Sequence, residues 1–122
     1  MRFDPITILS AGDMSQATVV SNGVDMNQMF GGSVQAVFTG SPVGTFTIEI
    51  SNDVQVVPAG GGANLASGVT TWTTYTGSSQ AISAAGDYCW ILADSNYRFL
   101  RLKYTKTSGT GSVTATFSGK GI

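Results

Sequence analysis

The chain has 122 residues, 42% of them hydrophobic and 11% charged, with 16 glycines, no histidine and one cysteine. That length supports one domain with one core, and so low a charged fraction excludes a disordered chain, a coiled coil or a set of solvated helices. The absence of histidine excludes a Ser-His-Asp or Cys-His triad and any imidazole metal site, and a net charge of −1 argues against a nucleic-acid partner.

The first residues lack the apolar run of a secretory signal, and nowhere do 18 apolar residues follow one another, so a product made in a cytoplasm with no membrane partner is expected. Residues 1–10 are either an arm or the first strand of a domain formed by residues 11–122. Phe3, Ile6, Ile8 and Leu9 are more apolar than an idle tail needs. They are expected to contact a neighbouring subunit unless the segment belongs to the same sandwich. Beyond them, period-two alternation in runs rich in Val, Ile, Thr, Phe and Tyr predicts strands over residues 17–21, 33–39, 44–51, 55–57, 70–75, 80–83, 87–92, 97–105 and 112–118. Phe46, Ile48 and Ile50 point one way and Thr45, Thr47 and Glu49 the other. In the same manner Leu100, Leu102 and Tyr104 oppose Phe99, Arg101 and Lys103. Strands of this length and spacing, each offering one greasy face, predict an all-β fold. It is a two-sheet antiparallel β-sandwich of jelly-roll type with eight or nine strands.

Two segments look alike. Residues 36–48 and 102–115 both run from an aromatic-Thr strand end through a Ser-Pro or Ser-Gly reversal into a Thr-lined strand, and both read as hairpins. They are either convergent turn chemistry or a pseudo-repeat with one hairpin in each sheet. The stretch from Val57 to Gly68 is the one long connection. It opens no helix and holds no base, which argues against a phosphate cradle. Gly60, Gly61 and Gly62 at its centre are expected to contact a partner or to be inert.

Charge is unevenly placed. Residues 1–96 hold seven acids and one base, whereas residues 97–122 hold five bases (Arg98, Arg101, Lys103, Lys106 and Lys120) and no acid. Either the C-terminal strands lie beside acidic ones within the domain, or they present a basic stripe to an acidic partner. All the acids but Glu49 stand beside expected turns, where Asp accepts backbone N–H groups, and no pair or cluster suggests catalysis or calcium. Trp72, Tyr75, Trp90 and Tyr97 are able to stack on sugar rings, though burial is the commoner fate of such rings. Cys89 reads as a small buried hydrophobe. No catalytic residue, cofactor or metal is expected.

Taken in order, several strand and turn segments resemble small structural proteins of tailed-phage virions. They are the passage from Phe38 to Phe46, the strand end from Ile50 to Asp53, Thr71-Trp72-Thr73, Asp87-Tyr88-Cys89-Trp90, and the run from Arg98 to Gly111. The resemblance spans about residues 10–120. It implies a bacteriophage virion structural protein, a capsid decoration or head-attached protein located in the virion and acting through contacts rather than catalysis. The implied partners are the major capsid or another virion protein and other copies of the chain as a homotrimer. The alternative is a host-surface or carbohydrate-binding β-sandwich module of a fibre or adhesin, with a host surface glycan as ligand.

Overall fold

The structure, a computed structural model, describes residues 4–26, 29–53, 57–58, 65–67, 69–94 and 96–121. Among them are twelve strands and no helix: β1 Ile6–Asp13, β2 Thr18–Val20, β3 Gly23–Asp25, β4 Met29–Gly40, β5 Val43–Ser51, β6 Val57–Pro58, β7 Leu65–Ser67, β8 Thr73–Thr74, β9 Gln80–Ile82, β10 Gly86–Leu92, β11 Phe99–Ser108 and β12 Gly111–Gly121. They pair antiparallel into two sheets, a small one in the order β1-β12-β4-β10 and a large one in the order β6-β7-β3-β11-β5-β8, with β2 also on β11 and β9 also on β5.

The broken strands conceal a simple plan. Count β2 with β3, and β8 with β9, as two interrupted strands, and set aside the short β6–β7 pair. Eight strands then remain, ordered 1-8-3-6 in one sheet and 2-7-4-5 in the other. That is the double Greek key of a jelly roll, as the alternation predicts.

The alternation builds the core. Val34, Ala36 and Phe38 of β4 and Val113, Ala115 and Phe117 of β12 face Phe46 and Ile48 of β5 and Leu100, Leu102 and Tyr104 of β11, all buried in one cluster. Phe46 lies at the middle, its ring centroid 5.3 Å from Phe38, 4.9 Å from Tyr104 and 5.7 Å from Trp90. The Trp90 indole N–H donates to the Ser78 carbonyl at 2.8 Å, which satisfies the one polar atom of that ring.

Residues 1–10 do not form a body of their own among the described residues. β1 runs across residue 10 and pairs with β12, from Ile6 opposite Phe117 to Asp13 opposite Ser112, and Ile8 is buried in the core. This pairing is interrupted twice by register shifts, and Ala11 takes φ 49° beside the second, a left-handed conformation uncommon for a residue with a Cβ.

The look-alike segments are not hairpins. β4 and β5 lie in different sheets, and so do β11 and β12. Each reversal carries the chain across the sandwich, and β4 pairs with β12 while β5 pairs with β11. The two turns therefore sit against one another, with the Ser41 N–H donating to the Thr110 carbonyl at 2.9 Å. A tight turn constrains where the chain reverses, whereas the partner of each strand is fixed by which face must be buried. Gly40 and Gly109 hold positive φ at the two corners, and a Cβ on Gly109 would run into the Ser41 carbonyl.

Candidate functional site

Two outward faces result. On the large sheet, Glu49 of β5 lies opposite Arg101 of β11, with Lys103 beside Thr47. The Arg101 guanidinium meets the Glu49 carboxylate at 2.7 Å through both Nε and Nη2, and the Lys103 ammonium stands 3.8 Å away. Trp72, which precedes β8, lies under the Arg101 guanidinium with 4.5 Å from Cζ to the ring centroid. Glu49 is a buried carboxylate on an outward face, enclosed by the cations it binds. Next along β11, Phe99 is fully buried without joining the core cluster, and Arg98 lies 5.2 Å from its ring while pairing with Asp25 at 2.8 Å.

This arrangement settles the charge asymmetry in favour of pairing within the domain. Arg98 is matched to Asp25, Arg101 and Lys103 to Glu49, and the Lys106 ammonium donates to the Ser15 carbonyl at 2.9 Å. Lys120 stands apart from these, 5.5 Å above the exposed ring of Phe30.

The turn acids do what short carboxylates do in turns. Asp13 accepts the Ser15 hydroxyl at 2.6 Å and the Ser15 N–H at 2.9 Å. Asp53 accepts the N–H groups of Thr71 at 2.7 Å and Thr70 at 2.8 Å, tying together the segments on either side of the long connection. Hydrogen bonds to the charged form hold both carboxyls below their ordinary 3.8, from Ser15 at Asp13 and from the Thr71 and Thr70 N–H groups at Asp53. At the opposite extreme, burial pushes the Tyr97 phenol up to about 12, the nearby Tyr75 adding to the shift.

Linkage gives both limits of the stability curve. The carboxyl stabilisation is present above 3.8 and is lost as pH falls through the lower folded values. The phenol stabilisation is complete below 10 and is lost as pH rises from 10 through about 12. Melting temperature followed by circular dichroism should therefore fall in both windows. Asp53→Asn should make the acid fall shallower and leave the alkaline one unchanged; an unaltered acid limb would rule out the Asp53 contribution.

The small sheet's outer face is different in kind. Across its strands run the rows Thr7, Thr116, Gln35, Cys89, then Ser118, Ser33, Ile91, then Thr114, Val37, Asp87. Hydroxyls, amides and isolated apolar groups cover it, with few charges. Of the five exposed large hydrophobic residues, Tyr88 has the inward parity of β10 and lies 4.7 Å from the Trp90 ring, whereas Val37 and Ile91 lie on this outer face and Phe30 lies near its end beside Lys120. Beside them a recess of about 720 Å³ is floored by Gly31, Gly32 and Gly119 and rimmed by Phe30, Ile91 and Lys120. The glycines have a packing reason. A Cβ on Gly32 would come within 2.8 Å of the Phe117 ring, and one on Gly31 within 2.6 Å of the Ala93 carbonyl.

Of the contact residues expected from the sequence, Ile8 is in the core and Ile6 and Leu9 pack partly against it; Phe3 and Gly60, Gly61 and Gly62 lie outside the described residues. The aromatic candidates divide. Trp90 and Tyr97 are buried and Tyr75 packs on Tyr97 at 5.9 Å, whereas Trp72 is half-buried on the outward face. Cys89 is exposed, contrary to the expectation of burial. It occupies an outward parity position on β10, with the inward Trp90 next to it. The cluster of Glu49, Arg101 and Trp72 was not singled out beforehand, and its only signal was that Glu49 and Arg101 share the polar parity of their strands. Among the described residues no group of three His, Cys, Asp or Glu side chains is placed to hold a metal.

No model of a known protein family matches the chain, and no curated protein matches it in sequence. Solved structures do match it in shape. The chain is similar over 98% of its length to the PBSX exported protein XepA, with 14% identity and a TM-score of 0.64, and it spans 37% of that protein. It is similar over 97% of its length to the SPBc2 prophage-derived protein YomS, with 8% identity and a TM-score of 0.50, and spans 95% of it. A third likeness is to chitosan-binding module 1 from a chitosanase/glucanase of Paenibacillus sp. IK-5, with 16% identity, a TM-score of 0.53, and coverage of 96% of this chain and 76% of that one. The likeness is one of fold, a two-sheet antiparallel β-sandwich.

Proposed function

We propose that the chain is a structural protein of a tailed-phage virion, attached to the head and acting through protein contacts. The observation behind this reading is the small sheet's outer face. It is a broad array of hydroxyl, amide and isolated apolar groups with few charges, a surface suited to close packing against another protein. The similarity in fold to a prophage-derived protein over 95% of that protein's length adds support. A tagged copy produced during infection should band with intact particles on a density gradient at a fixed ratio to the major capsid protein. Its absence from intact particles rejects the reading.

Trp72 favours a second reading. A half-buried indole beside Arg101, Glu49 and Lys103 joins an apolar plate to hydrogen-bonding groups, a combination that suits a sugar ring. The fold of a chitosan-binding module lends it weight. Here the chain binds a host surface glycan. Titration with chitosan oligosaccharides and a glycan array should show binding that Trp72→Ala reduces at least tenfold, and silence on both removes this reading.

A further inference from the structure

We propose that β10 is a self-pairing edge through which two copies of the chain join about a two-fold axis, extending the small sheet from four strands to eight. The two edges of that sheet are unlike. β1 is blunted by two register shifts and by the left-handed Ala11, devices that spoil a template for further strand addition. β10 carries no such protection. Its seven residues pair with β4 without interruption, from Gly86 opposite Phe38 to Leu92 opposite Gly32, and among the described residues no strand pairs with its other side. It contains no proline, lysine or arginine, its single charge is Asp87, and Tyr88, Cys89 and Ile91 are exposed along it.

Three features name a second copy as the occupant. The first is closure: β1 is unfit to receive it and the edge strands β6, β8 and β9 of the large sheet are two or three residues long, so among the described residues the regular unpaired edge is another β10, which gives a finite pair rather than a growing ribbon. The second is charge. β10 itself holds a single charged side chain, Asp87, near one end, and an antiparallel pair sets the two copies of Asp87 toward opposite ends of the shared edge, whereas a parallel pair would bring them to the same end. The third is size. Seven residues span about 23 Å of edge, so the buried area falls at the lower end of specific interfaces, consistent with a dimer that forms at micromolar concentrations. This arrangement departs from the homotrimer expected from the sequence, because a ring made by strand pairing needs β10 to meet β1. It does not depend on the virion reading.

Sedimentation equilibrium over a range of concentrations tests it. The mass should rise from 12.6 kDa toward twice that value, as one closed step. Ile91→Lys places a charge on the edge strand at a position that is 74% exposed. It should weaken the dimer at least tenfold while leaving the melting temperature at low concentration unchanged. Thr7→Lys on the β1 side should leave the dimer intact. Because Cys89 is the middle residue of β10, mild oxidation should trap the wild-type pair as a disulfide dimer and fail to trap the Ile91→Lys chain. A mass that stays at 12.6 kDa, a trimer, an open-ended polymer, or a dimer indifferent to Ile91→Lys overturns the proposal.

Discussion

Phe46→Ala should cost about 3–5 kcal/mol of folding stability, the range for truncating a fully enclosed aromatic ring. Phe46 has no exposed surface and touches rings from β4, β10 and β11, so its removal opens a cavity that no single neighbour can fill. Both sheets lose contacts at once. For a chain of this size the melting temperature should drop by roughly 12–20 °C, read by calorimetry or circular dichroism. Phe46→Leu, which keeps most of the volume, should lose less than half as much. A loss under about 1 kcal/mol for the alanine variant would mean that the two sheets do not share the core described.

Glu49→Ala should be the most costly change to a charged residue. The carboxylate is the common partner of Arg101 and Lys103, and removing one member of a buried pair typically costs about 3–5 kcal/mol. The cations here are partly exposed, at 23% and 35% of their side chains, and can regain water, so about 2 kcal/mol is expected. Arg101 would also be free to leave the Trp72 ring, and Trp72 emission should shift to the red. Replacing Glu49 and Arg101 together, Glu49→Leu with Arg101→Leu, should recover part of the loss, since the more buried cation goes with its partner and only the more exposed Lys103 is left without its carboxylate. Equal instability in the single and double variants would show that the cost comes from packing and not from the orphaned cation.

Much of this fold was legible because two-residue alternation reports directly on which face is wet. Phe46, Ile48, Leu100 and Leu102 could be assigned to the core before any pairing was known. Every predicted run has a strand within it, although 55–57 is described only from Val57 onward. β3 and β7 escaped notice because three residues such as Gly23-Val24-Asp25 carry no period to read; they are strands only through the neighbours they pair with. β1 was ambiguous for a physical reason. Its bulges break the alternation around Leu9 and Ala11, which made a strand resemble an arm. The corners were misread because turn chemistry is local, whereas the choice between staying in a sheet and crossing to the other is made by residues seventy positions away, as Ser41 against Thr110 shows.

The candidate sites were less legible. Glu49, Trp72 and Arg101 are far apart in sequence, and only the register of β5 on β11 brings the two charges together. For Cys89, flanking aromatic rings suggested burial, yet Trp90 and Cys89 cannot both face inward on one strand.

The pairing of β1 with β12 has a consequence for how the molecule is made. Ile6 rests beside Phe117, so the small sheet needs strands from both ends of the chain, and closing so long a loop is entropically demanding. A ribosome releasing this polypeptide delivers β1 first and its partner β12 last of the twelve described strands. The domain should therefore complete its fold only once β12 has emerged, and slowly for its size, as expected where most partners are distant along the chain.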